Sequence, residues 1–262
     1  MGDRLSRLNW TSPLVHGPIR GSGVEIELGS DGLMRVVLLQ PPAFRREAPA
    51  TSLAEALAVP RISFGDLIRA HLRQGTELGN RVAELLNSGS LVPDEICTAV
   101  VRNRLHQAAD AAFLLVGHPS SAVQAIALDK LLRNLDRPLD GVLHLHLPQA
   151  EVERLVRRLA ARRICRKNSA HWFESEGDQP LVDRVCAVCG GELVQRRDDH
   201  EDVVRNRFTS HAAMLEPVIQ HYGRQNLLVT IDAIGTSDEI ARRALTELRD
   251  RGPRPDSGQA TS

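Results

Sequence analysis

Short apolar runs that alternate with helical patterns constrain the fold of this chain more than any other feature. The first run, residues 36–39, reads VVLL and is followed by a helical pattern that begins at Ser52. Three further runs of this kind occur at residues 112–116, 141–147 and 227–232. Strands that are apolar on both sides, with helices between them, are typical of a parallel sheet covered on both faces. The sequence therefore predicts an α/β fold with ligands at the carboxyl ends of its strands.

The composition indicates a globular protein with balanced charge. The chain has 262 residues, of which 42% are hydrophobic, and its 33 basic residues equal its 33 acidic residues. No overall field therefore favours nucleic acid or an acidic membrane surface. No apolar run approaches the roughly 20 residues that span a bilayer, and the first residues lack the apolar core of a signal peptide. We expect a cytoplasmic protein that binds neither nucleic acid nor membrane.

The loop after the first strand has the position of a phosphate-binding loop but lacks the residues of one. In such loops glycines bring backbone N–H groups to the phosphates, a lysine neutralises charge, and a hydroxyl holds Mg²⁺. Residues 40–48 read QPPAFRREA and contain no glycine, lysine or hydroxyl side chain. Arg46 supplies a cation, whereas Glu47 places a carboxylate near the helix N-terminus, where it repels a polyphosphate.

Several motifs, in this order along the chain, resemble the long form of adenylate kinase. The resemblance is carried by the segments MRVVLLQPP, PRISFGDLIRA, GTELG, GSLVPDE, GHPSSAVQA, ARRICRK, CAVCGGELVQRRDDHEDVVRNR and LVTIDAIG. It implies a three-layer P-loop kinase-like fold, with a parallel five-stranded sheet, helices on both faces and two lid inserts. It also implies adenine nucleotides as ligands, because the family transfers a phosphoryl group between MgATP and AMP.

The resemblance also implies a division of the chain. The kinase-like domain is expected at residues 34–250, with a monophosphate lid at residues 63–92 and a larger, zinc-type lid at residues 161–199. Residues 1–33 are expected to form a poorly ordered extension. Residues 251–262 are rich in Gly, Pro and Ser, and a disordered tail is expected there.

Nine positions match, or substitute for, nucleotide contacts of the family. Four are arginines that the family gathers around the transferring phosphates, on a predicted helix over residues 149–163 and beyond it: Arg158, Arg162, Arg196 and Arg207. The remaining five are Arg46, Arg69, Gly117, Gln124 and Trp172. The lid has an alternative interpretation, because Asp198 and Asp199 can pair with Arg158 or Arg162 as a structural hinge.

Other family positions have lost their chemistry. Where the family has DGFPR, residues 116–120 read VGHPS, without the acidic residue that organises metal-bound water and the arginine that contacts both phosphates. Phe64 replaces a threonine that contacts AMP, and Ser90 replaces a lysine. Removing one preorganised donor costs about 10²- to 10³-fold in turnover, so we predict a catalytically impaired or inactive protein that still binds nucleotide. Mg²⁺ is expected only if the protein is active.

Two alternatives remain open at this point. The first is an active nucleoside monophosphate kinase with an altered site, using Arg46 and the lid arginines. The second is an interaction protein that binds no nucleotide.

Three of the four cysteines crowd into the predicted larger lid and indicate a structural zinc site. Cys186 and Cys189 have the spacing of a zinc knuckle, and Cys165 begins the other half. The family's fourth position is Asn168, a poor zinc ligand, whereas His171 lies nearby and would complete a Cys₃His set. The alternative is a lid without metal that is held by packing or left partly loose.

Overall fold

The computed structural model describes residues 34–42, 48–87, 92–107, 112–168, 170–173 and 185–250. The predictions for residues 1–33, Arg46, Glu47, Ser90 and residues 251–262 lie outside the described residues. The helices and strands, in chain order, are β1 (Arg35–Leu39), α1 (Ala48–Ala56), β2 (Arg61–Ser63), α2 (Phe64–Gln74), α3 (Glu77–Asn87), α4 (Asp94–Gln107), β3 (Phe113–Val116), α5 (Ala122–Asn134), β4 (Gly141–His146), α6 (Gln149–Ala161), β5 (Arg163–Cys165), β6 (Trp172–Phe173), β7 (Leu193–Val194), a 3₁₀ turn (Arg197–Asp199), α7 (Glu201–Arg224), β8 (Leu228–Asp232) and α8 (Ser237–Asp250).

A parallel five-stranded sheet in the order β2-β3-β1-β4-β8 forms the centre of the fold. Strand β1 lies in the middle, where Val37 is opposite Leu115 of β3 and Val142 of β4. Its residues are buried because neighbouring strands cover both of its edges and helices cover both of its faces. The parallel five-stranded sheet predicted from the sequence is confirmed.

Alternate side chains of the sheet build two apolar cores, one on each face. Val36 and Leu38 belong to the core that contains residues of α1 and α8, such as Leu53 and Ala244. Val37 belongs to the opposite core, with residues of α4, α5 and α7. The three layers therefore follow from the two-residue period of β1. Within the described residues, no helix is both long enough and apolar enough to cross a bilayer.

A second, antiparallel sheet in the order β6-β5-β7 lies between α6 and α7 in the chain, and we call it the small sheet. Ile164 of β5 pairs with Trp172 on one side and Val194 on the other. Helices α6 and α7 pack together through Val156 and Phe208, among other apolar side chains. The small sheet thus grows from a pair of packed helices.

Two helix boundaries differ from the predictions. Helix α6 ends at Ala161, and Arg162 has φ −62° and ψ 139°, an extended conformation. The prediction that the helix continues to residue 163, with Arg162 one turn after Arg158, is therefore wrong. Pairing of Ile164 in the small sheet draws the chain out of the helix. Helix α1 begins at Ala48 rather than Ser52, because Pro49 is tolerated in a first helical turn.

Candidate functional site

The topology places a ligand crevice at the carboxyl end of β1. The strand order reverses there, since β3 lies on one side of β1 and β4 on the other. Residues 40–42 and 117–120 follow β1 and β3 at this edge. Gly117 has φ +80°, a conformation that favours glycine, so the chain turns sharply after β3.

Two aromatic rings pack against each other near the carboxyl ends of β2 and β3. Phe64 begins α2, and its ring centroid lies 5.7 Å from that of His118 at an interplanar angle of 32°. His118 is 1% exposed, and neither of its ring nitrogens has a hydrogen-bond partner among the described residues. Burial lowers the pKa of His118 to about 4, so the ring is neutral at physiological pH. The position before Gly117 is Val116, which is also buried.

The predicted nucleotide-binding residue Gln124 is held by a network of hydrogen bonds. Its Nε2 donates to Asp94 Oδ1 at 2.6 Å, and its Oε1 accepts from Ser120 N at 2.8 Å and from Ser120 Oγ at 3.1 Å. Ser121 caps α5 and donates its hydroxyl to Asp94 Oδ2 at 2.8 Å. Because a carbonyl oxygen has two lone pairs, the acceptor capacity of Gln124 is filled by Ser120. We call Phe64, residues 116–120 and Gln124 the β3 corner.

The predicted nucleotide-binding residue Arg69 lies next to the β3 corner and pairs within its own helix. Its Nη2 is 2.5 Å from Asp66 Oδ1, and Arg61 also lies 3.7 Å from the Asp66 carboxylate. Burial opposes ionisation of Asp66, but hydrogen bonds with Arg69 and Ser63 hold the pKa of Asp66 below its ordinary value. A Cβ at Gly65 would lie 3.2 Å from Arg69 Nη1, so this glycine gives the guanidinium room.

Arg162 forms a buried ion pair at the base of the small sheet. Its Nε and Nη2 donate to the two carboxylate oxygens of Asp199 at 2.9 and 2.5 Å, and the Asp199 side chain is 1% exposed. Gln195 Nε2 donates to the carbonyl oxygens of Ala160 and Asp199 at 2.8 and 3.1 Å. We call Ala160, Arg162, Gln195 and Asp199 the hinge, because they join the chain entering the small sheet to the chain leaving it.

The other residues of the predicted lid site lie beside the hinge or on the elements next to it. Arg196 Nε donates to Asp198 Oδ1 at 2.9 Å, and Arg207 Nη2 donates to the Asp198 carbonyl at 3.2 Å. Arg158 is partly buried on α6, and Trp172 is 50% exposed on β6. The aspartate pair therefore brings three of the four predicted lid arginines together. For Arg162 and Asp199 it does so through the structural hinge that the sequence offered as the alternative.

The predicted metal ligands meet in the small sheet and in the turn before β7. One ligand atom from each of Cys165, His171, Cys186 and Cys189 lies within 4.8 Å of the others. Cys165 Sγ is 3.4 Å from Cys189 Sγ, and Cys186 Sγ is 3.6 Å from His171 Nδ1. Ligand atoms around a tetrahedral zinc with Zn–S bonds of about 2.3 Å lie about 3.8 Å apart, so this set fits zinc. Asn168 instead lies 3.3 Å from His171 Nε2, on the other side of the imidazole.

Two glycines shape the turn that carries Cys186 and Cys189. Gly190 has φ +65°, and its N–H donates to the Cys186 carbonyl at 2.8 Å. A Cβ at Gly191 would lie 2.6 Å from Cys165 Sγ, so only glycine allows the backbone to approach the cluster this closely. The Cys-x-x-Cys-Gly-Gly segment, which we call the knuckle, therefore brings the predicted metal ligands close together.

Asp94, the first residue of α4, belongs to the site although no pattern in the sequence singles it out. Asp94 accepts hydrogen bonds from Ser121 and Gln124, which are 27 and 30 residues away in sequence. No spacing signal connects residues so far apart. The network became visible only when the fold placed α4 beside α5.

Comparisons with known proteins agree with the fold and with the motifs. A family model described as Adenylate kinase matches residues 38–227. An adenylate kinase of Streptomyces coelicolor is 46% identical over 217 residues, which cover 82% of this chain and 99% of that protein. An adenylate kinase of Methanosarcina barkeri is 37% identical over 208 residues, which cover 79% of this chain and 94% of that protein. The described sheet, its three layers and these matches together show that the chain belongs to the adenylate kinase family.

Proposed function

We propose that this family member binds an adenine nucleotide at its lid arginines but transfers phosphoryl groups between ATP and AMP poorly or not at all. The main support for this proposal comes from the residues at the carboxyl end of β3. Val116 is buried there without a carboxylate, and the Ser120 hydroxyl donates to Gln124 where the family has an arginine. Phosphoryl transfer depends on positioned charge, so these positions supply no catalytic group.

A coupled assay with ATP, AMP and Mg²⁺ tests the loss of turnover. We expect kcat at least about 10³-fold below the usual kinase range of about 1–100 s⁻¹, because more than one preorganised charge is missing. A kcat within about tenfold of that range would contradict the proposal and support an active kinase with an altered site. Replacing residues 40–48 by GPPGAGKGT provides a second arm. If the wild type has measurable activity and this replacement changes kcat little, the active kinase with an altered site is also favoured.

Nucleotide binding is tested through Trp172, which is half-exposed on the small sheet. In a Trp10→Phe variant, Trp172 is the single tryptophan of the chain, so tryptophan fluorescence reports ligand binding near the small sheet. We expect ATP to change this signal, and we expect Arg207→Ala to weaken binding about tenfold, since a charge-assisted hydrogen bond contributes about 1.5 kcal/mol or more.

The matched control is Arg205→Ala on the same helix. Arg205 pairs with Glu153 and Glu201 rather than with Asp198, so its removal should leave ATP affinity unchanged. If millimolar ATP leaves the fluorescence unchanged and releases no heat in calorimetry, the interaction-protein alternative is favoured.

We further propose that the Cys₃His cluster holds a structural zinc ion. Zinc would tie β5 to the knuckle, where Cys165, Cys186 and Leu193 form a very small apolar cluster. Purified protein should contain about one zinc per chain, and His171→Ala should lose most of it. His200→Ala is the control, because His200 is exposed and makes no capping hydrogen bond. Absence of zinc from the wild type would overturn this part.

A further inference from the structure

We infer that this chain accommodates one nucleotide rather than two, because its own side chains close the β3 corner. The inference rests on the proposed function for the lid side, and it adds which class of ligand the crevice admits. A single nucleoside triphosphate reaches the lid arginines, whereas a nucleoside monophosphate finds no open position beside β2 and β3. Phe64 and Ser120 are the residues that determine this selectivity.

Apolar groups fill part of the β3 corner. Phe64 packs against the core on that face of the sheet, and its Cβ would lie 3.7 Å from a Cβ at Gly117. His118 behind it is neutral and almost fully buried. A phosphate dianion placed here would lose its hydration without gaining a cation from either ring, which is strongly unfavourable.

The polar groups of the β3 corner already have hydrogen-bond partners. Gln124 is 3% exposed, and its carbonyl oxygen already accepts two hydrogen bonds from Ser120. Its amide nitrogen is directed at Asp94. A base or phosphate entering the β3 corner must break these hydrogen bonds, and it would leave buried partners unsatisfied.

Charged side chains lie at the mouth of the β3 corner. Arg69 and Arg61 both pair with Asp66, which partly neutralises them. On the lid side, Arg196 and Arg207 share Asp198 in the same way, with side chains 49% and 40% exposed against 45% for Arg69. Arginine charge is therefore accessible at both places. The two places differ in what lies behind the arginines, because the β3 corner offers an incoming monophosphate rings and amides that already have partners.

Calorimetry with three ligands tests the inference. The ligands are AMP, ATP and a two-headed dinucleotide in which five phosphates join two adenosines. For the wild type we expect no AMP binding up to about 1 mM, and two-headed affinity within about threefold of ATP affinity. AMP binding tighter than about 1 mM, or a two-headed ligand bound more than about 100-fold tighter than ATP, would overturn it.

Two variants of Phe64 sharpen the test. Phe64→Thr removes the ring and should allow AMP to bind at least about tenfold more tightly than to the wild type, whereas Phe64→Leu keeps an apolar side chain and should not. Circular dichroism verifies that each variant is folded. Failure of folded Phe64→Thr to bind AMP overturns the closing role of Phe64. If Phe64→Thr does not fold, the wild-type titrations still decide.

The two proposals can fail separately. Absence of ATP binding contradicts the proposed nucleotide retention on the lid side. The AMP titrations of the wild type and of Phe64→Thr then still report whether the β3 corner is closed.

Discussion

The β3 corner and the hinge differ in the partners of the carboxylate that lies at each of them. Beside the β3 corner, the Asp94 carboxylate accepts hydrogen bonds from the neutral side chains of Ser121 and Gln124, and the His118 ring within the corner is neutral. At the hinge, Asp199 is buried and pairs with the Arg162 guanidinium through two hydrogen bonds. An arginine with such a structural partner is required whether or not nucleotide binds. A sequence match at Arg162 alone therefore does not demonstrate a phosphate contact.

The largest effect on stability is expected when the hinge arginine is removed. Arg162→Ala leaves the Asp199 carboxylate buried without it, so we expect the free energy of unfolding to fall by about 3 kcal/mol. Urea denaturation followed by circular dichroism measures the change. The double variant with Asp199→Ala should lose less than the sum of the two single variants. A loss below about 1 kcal/mol for Arg162→Ala would show that the pair is not buried in solution.

At the β3 corner, removal of a buried polar side chain should stabilise the protein. His118→Phe replaces two buried nitrogens that have no partner among the described residues by carbon, so we expect a gain of about 1–2 kcal/mol at pH 7. The same denaturation experiment measures it. A loss of stability would mean that His118 has a partner outside the described residues.

The pH dependence of stability tests the lowered pKa of His118 independently. Its pKa is about 4 in the folded protein and near 6.5 when unfolded, so between these values the unfolded chain binds more protons. Wild-type stability should therefore fall as pH falls from about 6.5 to about 4, and His118→Phe should reduce that fall. His144 keeps its own contribution in the variant, because burial lowers the pKa of His144 to about 4 as well. Identical pH profiles for the two proteins would contradict this assignment.

The smallest effect is expected at the exposed pair beside the hinge. Arg196 and Asp198 are 49% and 44% exposed, so Arg196→Ala should change the free energy of unfolding by less than about 1 kcal/mol. Denaturation in low and high salt measures the difference. A loss comparable to that of Arg162→Ala would remove the distinction between a structural and an accessible arginine.

The fold was predictable because its signals are local, whereas parts of the site depend on distant contacts. Apolar runs such as VVLL at residues 36–39 identify buried strands without knowledge of their neighbours. The helical pattern continues through Arg162, and only pairing of Ile164 with Val194 ends the helix earlier. His171 was found as a candidate ligand because it lies close to Cys165 in sequence. The hydrogen bond between Gln124 and Asp94 could not be predicted in this way, because it forms only when α4 and α5 pack together.

The hinge also has a consequence for the entropy of the chain. The hydrogen bonds from Arg162 to Asp199 close a loop of 37 residues, and confining the ends of such a loop costs about 3 kcal/mol. The contact between Cys165 and Cys189 closes a shorter loop of 24 residues inside it. Once the outer loop is closed, the inner one starts from ends that are already confined. The ion pair thus acts as a noncovalent crosslink that lowers the entropic barrier to assembling the cysteine cluster.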